Sequence, residues 1–307
     1  MLGNLHTHTH FSDGSSPPED YIAEAINQGF SVLGFTDHSP VPFPNTFAIP
    51  ESGLPGYIEA ITRVKGQGSR VKELRKSTIN NQQSEIGDRR SEIKILLGLE
   101  YDYIPGLTGS IRELRKAYSF DYIIGSVHLI RNDHPGLIWF IDGPKVETYD
   151  KGLREVFQGD ARKAVTAYWR QLQEMVVQEK PDIIGHLDKI KMHNRGRYFR
   201  EDEGWYVDLV DETLDLILHL GAVVEVNTRG LYKKRSDSLF PGPWILKKIL
   251  TQKIPVTLSS DAHRPEELSL GFPEATEILK ELGFRSQWLL TGQGWEETEL
   301  EEVRARH

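Results

Sequence analysis

Six short apolar runs in this chain end in an imidazole or a carboxylate: Leu5-His6-Thr7-His8, Phe35-Thr36-Asp37-His38, Gly98-Leu99-Glu100, Ser126-Val127-His128, Gly185-His186-Leu187 and Ser260-Asp261-Ala262-His263. His6 and His8 stand two residues apart, as do Asp261 and His263, and side chains two apart on a strand face the same side. The chain has no cysteine, so any metal it holds must sit on nitrogen and oxygen ligands. A single H-x-H means little, since surface histidines arise by chance and an Asp beside a histidine is often a helix cap. Six such endings in series point instead to one cluster of neutral imidazoles and carboxylates. Six of the eleven histidines take part, more than the three or four protein ligands of one catalytic metal, which implies two or three metal ions.

Two carboxylates carry much of this reading. Glu100 closes the run Ile93 to Leu99, where a carboxylate is buried and costly unless cations pair with it. Two metals would satisfy it, one per oxygen; an arginine partner is the alternative. Asp13 lies in Ser12-Asp13-Gly14-Ser15, a turn by composition, and is either a turn cap or an oxygen ligand reaching back over the same mouth. The histidines His10, His134, His193, His219 and His307 form no comparable series.

These endings need a scaffold that brings strand ends together. Short apolar runs alternate with helical patterns, as βα units around a parallel sheet do. The expected strands are 2–8, 31–36, 93–100, 121–127, 182–187, 222–227 and 255–260, with a possible further strand at 285–290. Tyr122-Ile123-Ile124 and Ala222-Val223-Val224 read as strands buried on both faces. Helical periodicity is clear from Ala161 to Val177 and from Tyr206 to Leu220; a further helix starts near Pro17 with Ser16 as N-cap and Gly29 as its stop. The segment 66–92 is polar and reads as a solvated surface insertion. The tail from Trp295 to His307 is acidic, then basic, and reads as a frayed helix.

The 307 residues suit one barrel domain. No apolar stretch approaches the roughly 18 to 20 residues of a membrane span, and the N-terminus lacks a signal-peptide pattern, so a soluble cytoplasmic protein is expected. A net charge of −8 argues against a general nucleic-acid binder, yet it permits an anionic substrate, because bound metal ions invert the local field.

The segments LHTHTHFSDG, FTDHSPVPF, GLEYDY, IGSVHLI, IIGHLDKIK, EVNTRG and SSDAHRPEEL together resemble the polymerase and histidinol phosphatase (PHP) superfamily, and within it the histidinol-phosphatase branch. The resemblance spans His6 to about Glu274. It implies a distorted (β/α)7 TIM-like barrel over 1–290, followed by a charged tail at 291–307, with a trinuclear site at the C-terminal ends of the strands. Carried over residue by residue, it implies His6, His8, Glu100 and Asp261 around a first metal. Glu100, His128 and His186 would surround a second, and Asp13, His38 and His263 a third. The metals would be Zn, Mn or Fe, among which such a shell does not choose.

The activity implied is hydrolysis of L-histidinol phosphate, a step of histidine biosynthesis, by a hydroxide shared between metals and in line with phosphorus. Glu100, Asp261, His263 and Arg264 are the expected catalytic residues. Arg197, Arg229 and Arg264 are the expected phosphate-binding cations, chosen over Arg131 and Arg195. Asp188 is expected to orient a ligand histidine, with protonation of the leaving group as the alternative. The competing substrates are nucleotides or short oligonucleotides. An amidohydrolase barrel also opens with H-x-H but commonly bridges its metals with a lysine, where this chain has Glu100. No membrane partner and no nucleic acid are expected.

Overall fold

The computed structural model describes residues 1–66, 93–132 and 136–300. The first half of the barrel is built from β1 (Gly3–Asn4), α1 (Pro18–Gln28), β2 (Val32–Phe35), α2 (Leu54–Gly66), β3 (Lys94–Leu97), β4 (Glu100–Asp102), α3 (Ile111–Ala117) and β5 (Ile124–Ser126). A hairpin of β6 (Leu129–Arg131) and β7 (Ile138–Phe140) follows, then α4 (Val146–Phe157) and α5 (Ala161–Gln178). The second half runs through β8 (Ile183–Ile184), α6 (Gly204–Leu220), β9 (Val223–Asn227), α7 (Arg229–Tyr232), α8 (Pro243–Gln252), β10 (Val256–Ser259) and α9 (Phe272–Leu282). The described chain ends in β11 (Ser286–Thr291) and β12 (Gly294–Glu299).

Parallel pairing orders these strands as a three-stranded sheet β1-β2-β3 and a five-stranded sheet β10-β9-β8-β5-β4. Single bridges from Thr7 to Ala262 and from His38 to Glu100 join the two sheets into a ring. The run expected as one strand over 93–100 is broken at Gly98-Leu99. Before the break it pairs with β2, and after it with β5. Glycine is required at the break, where a Cβ on Gly98 would lie 2.7 Å from Thr36 Cγ2 and 2.8 Å from the Tyr122 ring. Counting β3 and β4 as one position gives the distorted (β/α)7 barrel.

Leu5, Val32, Leu96, Tyr122, Ile124, Ile183, Val223 and Leu289 fill its interior. Tyr122 Oη donates to Leu5 O at 2.5 Å and passes so close to β2 that a Cβ on Gly34 would meet it at 1.9 Å. Outside the ring, α5 buries Val165, Tyr168, Trp169, Leu172, Met175 and Val176, and α6 buries Tyr206, Leu209, Val210, Leu214 and Ile217. Each such burial contributes about 1.5–3 kcal/mol, which fixes the strand ends against the helical shell.

Two local expectations are corrected. The N-cap of α1 is Pro17 rather than Ser16, and its side chain offers no oxygen, so a proline in the first turn sets the helix start; Gly29 ends it at φ 82° as expected. From Trp295 to Glu299 the chain is not a helix: β12 pairs antiparallel with β11 from Gly294 to Glu299. That hairpin seals the floor of the barrel, because Leu289 is buried against Gly3 and Gln287 accepts the Leu258 amide at 3.0 Å. The polar segment from residue 67 to 92 and the tail from 301 lie outside the described residues. No described helix is long and apolar enough to cross a membrane.

Candidate metal centre

The strand ends deliver their side chains to one mouth. Asn4 ties β1 to the far side of the ring, donating to Ser260 Oγ at 2.7 Å and Leu268 O at 3.0 Å while accepting the His6 amide. Just beyond, His8 N donates to Ala262 O at 2.8 Å and Ala262 N to His6 O at 3.2 Å. The H-x-H and D-x-H pairs therefore lie side by side with their side chains directed into the mouth. Gly14 lets the Asp13 turn fold back over them, since a Cβ there would sit 2.1 Å from His8 O. Two of the inward residues, His186 (φ 21°) and Asp261 (φ 52°), adopt left-handed backbone, a costly conformation for side-chain-bearing residues that clusters at functional sites.

Glu100 is the centre of the arrangement. Its Oε2 lies 3.2 Å from His6 Nε2, 3.3 Å from His8 Nε2 and 3.1 Å from His38 Nδ1. Its Oε1 lies 3.0 Å from His186 Nε2 and 3.5 Å from His128 Nε2, and accepts the Ser126 hydroxyl at 2.6 Å. Ligand-competent atoms gather in four overlapping groups, each within 4.8 Å: His6, His8 and Asp261; Glu100, His128 and His186; His8, Asp13, His38 and His263; and His38, Asp102 and His128. All nine expected ligand positions are thus brought together, with His8, His38 and His128 each belonging to two groups.

Two further carboxylates, absent from the sequence reading, hold the imidazoles from behind. Glu225 faces His6 Nδ1 at 2.6 Å through Oε1 and accepts the His186 amide at 2.8 Å through Oε2. Asp102 spans His38 Nδ1 at 2.9 Å and His128 Nδ1 at 2.5 Å. Carboxylates on Nδ1 leave Nε2 turned inward as an electron-pair donor. Asp37 does comparable work for the loop after β1, accepting the amides of Thr9 at 2.8 Å and Ser12 at 3.0 Å.

Burial would lower the pKa of His6, but Glu225, Glu100 and Asp261 outweigh it and hold the imidazolium well above its ordinary range. Burial opposes the same effect at His38, which Asp102 and Glu100 nonetheless raise to about 10. Burial, with His263 and His38 nearby, pushes His8 down to about 3. Glu100 is held well below the carboxylate range because His6, His38 and His128 overcome its desolvation; Asp261 is lowered likewise by His6 and Arg229. Without metal, then, protons on His6 and His38 balance an otherwise anionic cluster.

The residues fit a group of divalent ions. His6 Nε2 and His8 Nε2, both facing Glu100, are buried without a hydrogen-bond partner, which is expensive unless a cation uses such atoms. The donor set is nitrogen and carboxylate oxygen throughout, suited to Zn, Mn or Fe.

Beside the cluster opens a cleft of about 230 Å³, lined by the ligand residues Asp13, His38, His128 and His263 together with Phe47, Phe140, Asp142, Pro144, Arg229 and Arg235. Arg229 sits in its wall with Nη1 donating to Asp261 O at 2.7 Å. The other expected arginines lie elsewhere. Arg197 forms a bidentate pair with Asp150, both contacts 2.8 Å, and Arg264 is exposed and outside the cleft lining. Arg131 reaches Pro105 O, and Arg195 bonds Lys234 O at 3.2 Å. Among the described residues Asp188 contacts no ligand histidine: it pairs with Lys191 at 2.7 Å and accepts the Gly242 amide at 2.9 Å.

A family model described as the PHP domain matches residues 4–229. The chain belongs to the PHP family. This PHP chain is 26% identical over 295 residues to the histidinol-phosphatase of Lactococcus lactis, covering 94% of each chain. Its fold matches hisK from Listeria monocytogenes (TM-score 0.72, 20% identity, 88% of this chain and 98% of that one). It also matches the histidinol phosphate phosphatase of Lactococcus lactis, solved with zinc, L-histidinol and phosphate (TM-score 0.64, 20% identity, 96% and 98%). These two likenesses carry the distorted TIM-like barrel.

A test of the PHP site follows from the carboxylate behind His6. Glu225→Gln keeps the size of the side chain but weakens its hold on the imidazole, and metal affinity is expected to fall about 10- to 100-fold in a competitive chelator titration. Unchanged affinity would remove Glu225 from the account.

Proposed function

We propose that this chain hydrolyses L-histidinol phosphate to L-histidinol and inorganic phosphate in the cytoplasm, with two or three divalent metal ions held by His6, His8, Asp13, His38, Glu100, His128, His186, Asp261 and His263. The observation that carries the reading is the division of Glu100, one oxygen toward His6, His8 and His38 and the other toward His128 and His186. A single bound ion would not use both halves of that arrangement. Bound ions supply Lewis acidity, lowering the pKa of water from 15.7 toward about 7 and drawing charge from phosphoryl oxygens.

The chain's own residues do the rest. Glu225 and Asp102 fix the ring orientation of His6, His38 and His128 before substrate arrives. Arg229 is anchored on the Asp261 carbonyl, so its charge faces the cleft as a fixed field. Arg235, whose guanidinium has no side-chain partner among the described residues, lines the cleft and is assigned to the phosphoryl oxygens. Glu100 and Asp261 are kept ionised by their imidazole neighbours, so phosphate must be met by metal and arginine rather than by carboxylate.

Arg235→Ala is expected to cut kcat/KM about 10²-fold, whereas Arg197→Ala, removing a cation tied to Asp150, changes it less than about twofold. Equal effects would mean that phosphate binds elsewhere. The substrate itself is tested by phosphate release from histidinol phosphate, a nucleoside monophosphate and a short oligonucleotide under one metal condition. Preference for histidinol phosphate is expected; equal rates on all three, or preference for either nucleotide, would sink the assignment.

A further inference from the structure

Beside the metal cluster, on the lining of the cleft, is an acid that the phosphatase reading does not use. Asp142 follows β7, and its Oδ2 lies 3.0 Å from the ammonium of Lys189, a side chain only 2% exposed, and 3.8 Å from His128 Nε2. The other oxygen, Oδ1, is buried and has no hydrogen-bond partner. A buried acceptor left open costs free energy, yet this one belongs to a residue that lines the cleft. Lys189 holds the carboxylate by Oδ2, so Oδ1 is left without a protein donor on a residue that lines the cleft.

Next to it, Phe47 and Phe140 stack with ring centroids 5.6 Å apart and planes 16° from parallel, and Phe47 sets its edge against His38 at 5.4 Å. The wall beside the metal ligands therefore pairs an unpartnered carboxylate oxygen with flat apolar surface. Its complement is a molecule that carries, close to its phosphate, a cationic donor and a planar ring.

We propose that Asp142 is the specificity residue for an ammonium group adjacent to the phosphate ester, with Lys189 as its positioning residue and the Phe47–Phe140 pair as the seat for an aromatic ring. This rests on the histidinol phosphate reading and deepens it. In that substrate only two carbons separate the amine nitrogen from the ester oxygen, so an amine bound there must lie beside the metal ligands. Asp142, in van der Waals range of His128, occupies such a position. A nucleotide offers no ammonium to this oxygen, and its base lies a full sugar away from the ester.

The test uses the metal-loaded protein and two substrates, L-histidinol phosphate and its deamino analogue, imidazolylpropyl phosphate. Asp142→Asn is expected to lower kcat/KM for histidinol phosphate about 100-fold, mainly through KM, and to change the analogue less than about threefold. Asp142→Glu, which keeps the charge, should recover part of the loss, and metal content should equal the wild type in both variants. An equal loss on the two esters, no loss on either, or loss of metal from the Asn variant would each overturn the assignment while leaving the phosphatase reading in place. Wild-type protein that fails to hydrolyse histidinol phosphate would instead overturn both.

Discussion

Glu100→Ala should lose turnover on the order of 10³-fold or more, together with part of its bound metal, while the barrel stays folded. The carboxylate is buried at the mouth, contacts five imidazoles and takes no part in the apolar interior. Alanine leaves those imidazoles without the anion that gathers them, and no neighbour can replace an acceptor shared between the two halves of the site. His219→Ala is the matched control. That imidazole is exposed on α6, with Nδ1 on Asp215 O at 2.6 Å, and its removal should change the rate less than about twofold. Phosphate release and circular dichroism on the two variants decide the matter; similar rates would mean that Glu100 is not the bridge.

Stripping the metal is the second large effect, and its pH dependence has a definite sign. Chelation should abolish activity and lower the melting temperature by several degrees, since an ion at 100 times its Kd adds about 2.7 kcal/mol to the folded state. The metal-free fold gains stability from a charged His38, whose pKa of about 10 lies above the ordinary histidine value of about 6.5. That contribution is complete below pH 6.5 and is lost as pH rises through about 10. His6, raised in the same sense, follows the same rule. Metal must displace both protons, so metal-induced stabilisation should be larger at pH 9 than at pH 6, and loading near pH 7 should release on the order of one to two protons per chain. A stabilisation that shrinks as pH rises would contradict the protonation pattern.

Much of the site is visible in the chain because parallel barrels bring C-terminal strand ends together. An apolar run followed by His, Asp or Glu marks such an end, and that pattern finds nine side chains which the structure gathers into one cluster. The carboxylates behind them were legible in principle. Asp102 stands two residues after Glu100 on β4 and so shares its face, and Glu225 interrupts the buried run Val223-Val224. A charge in such a run is tolerated only with a partner. Arg235 and Asp142 lie in loops whose paths depend on tertiary packing, and no period reports where loop side chains turn. Arg197 pairs with Asp150 and Arg264 lies outside the cleft lining, because sequence position does not aim a long side chain. Of the C-terminal hairpin, the first strand is legible at 285–290, where Gln287 and Leu289 face inward; the second is masked by its run of acidic residues after the Gly292-Gln293-Gly294 turn.

The central claim is a multinuclear centre organised by Glu100. Elemental analysis of carefully remetallated protein tests it most directly. The account predicts two to three divalent ions per chain, falling in Glu100→Ala; one ion or fewer in the fully active wild type would contradict it.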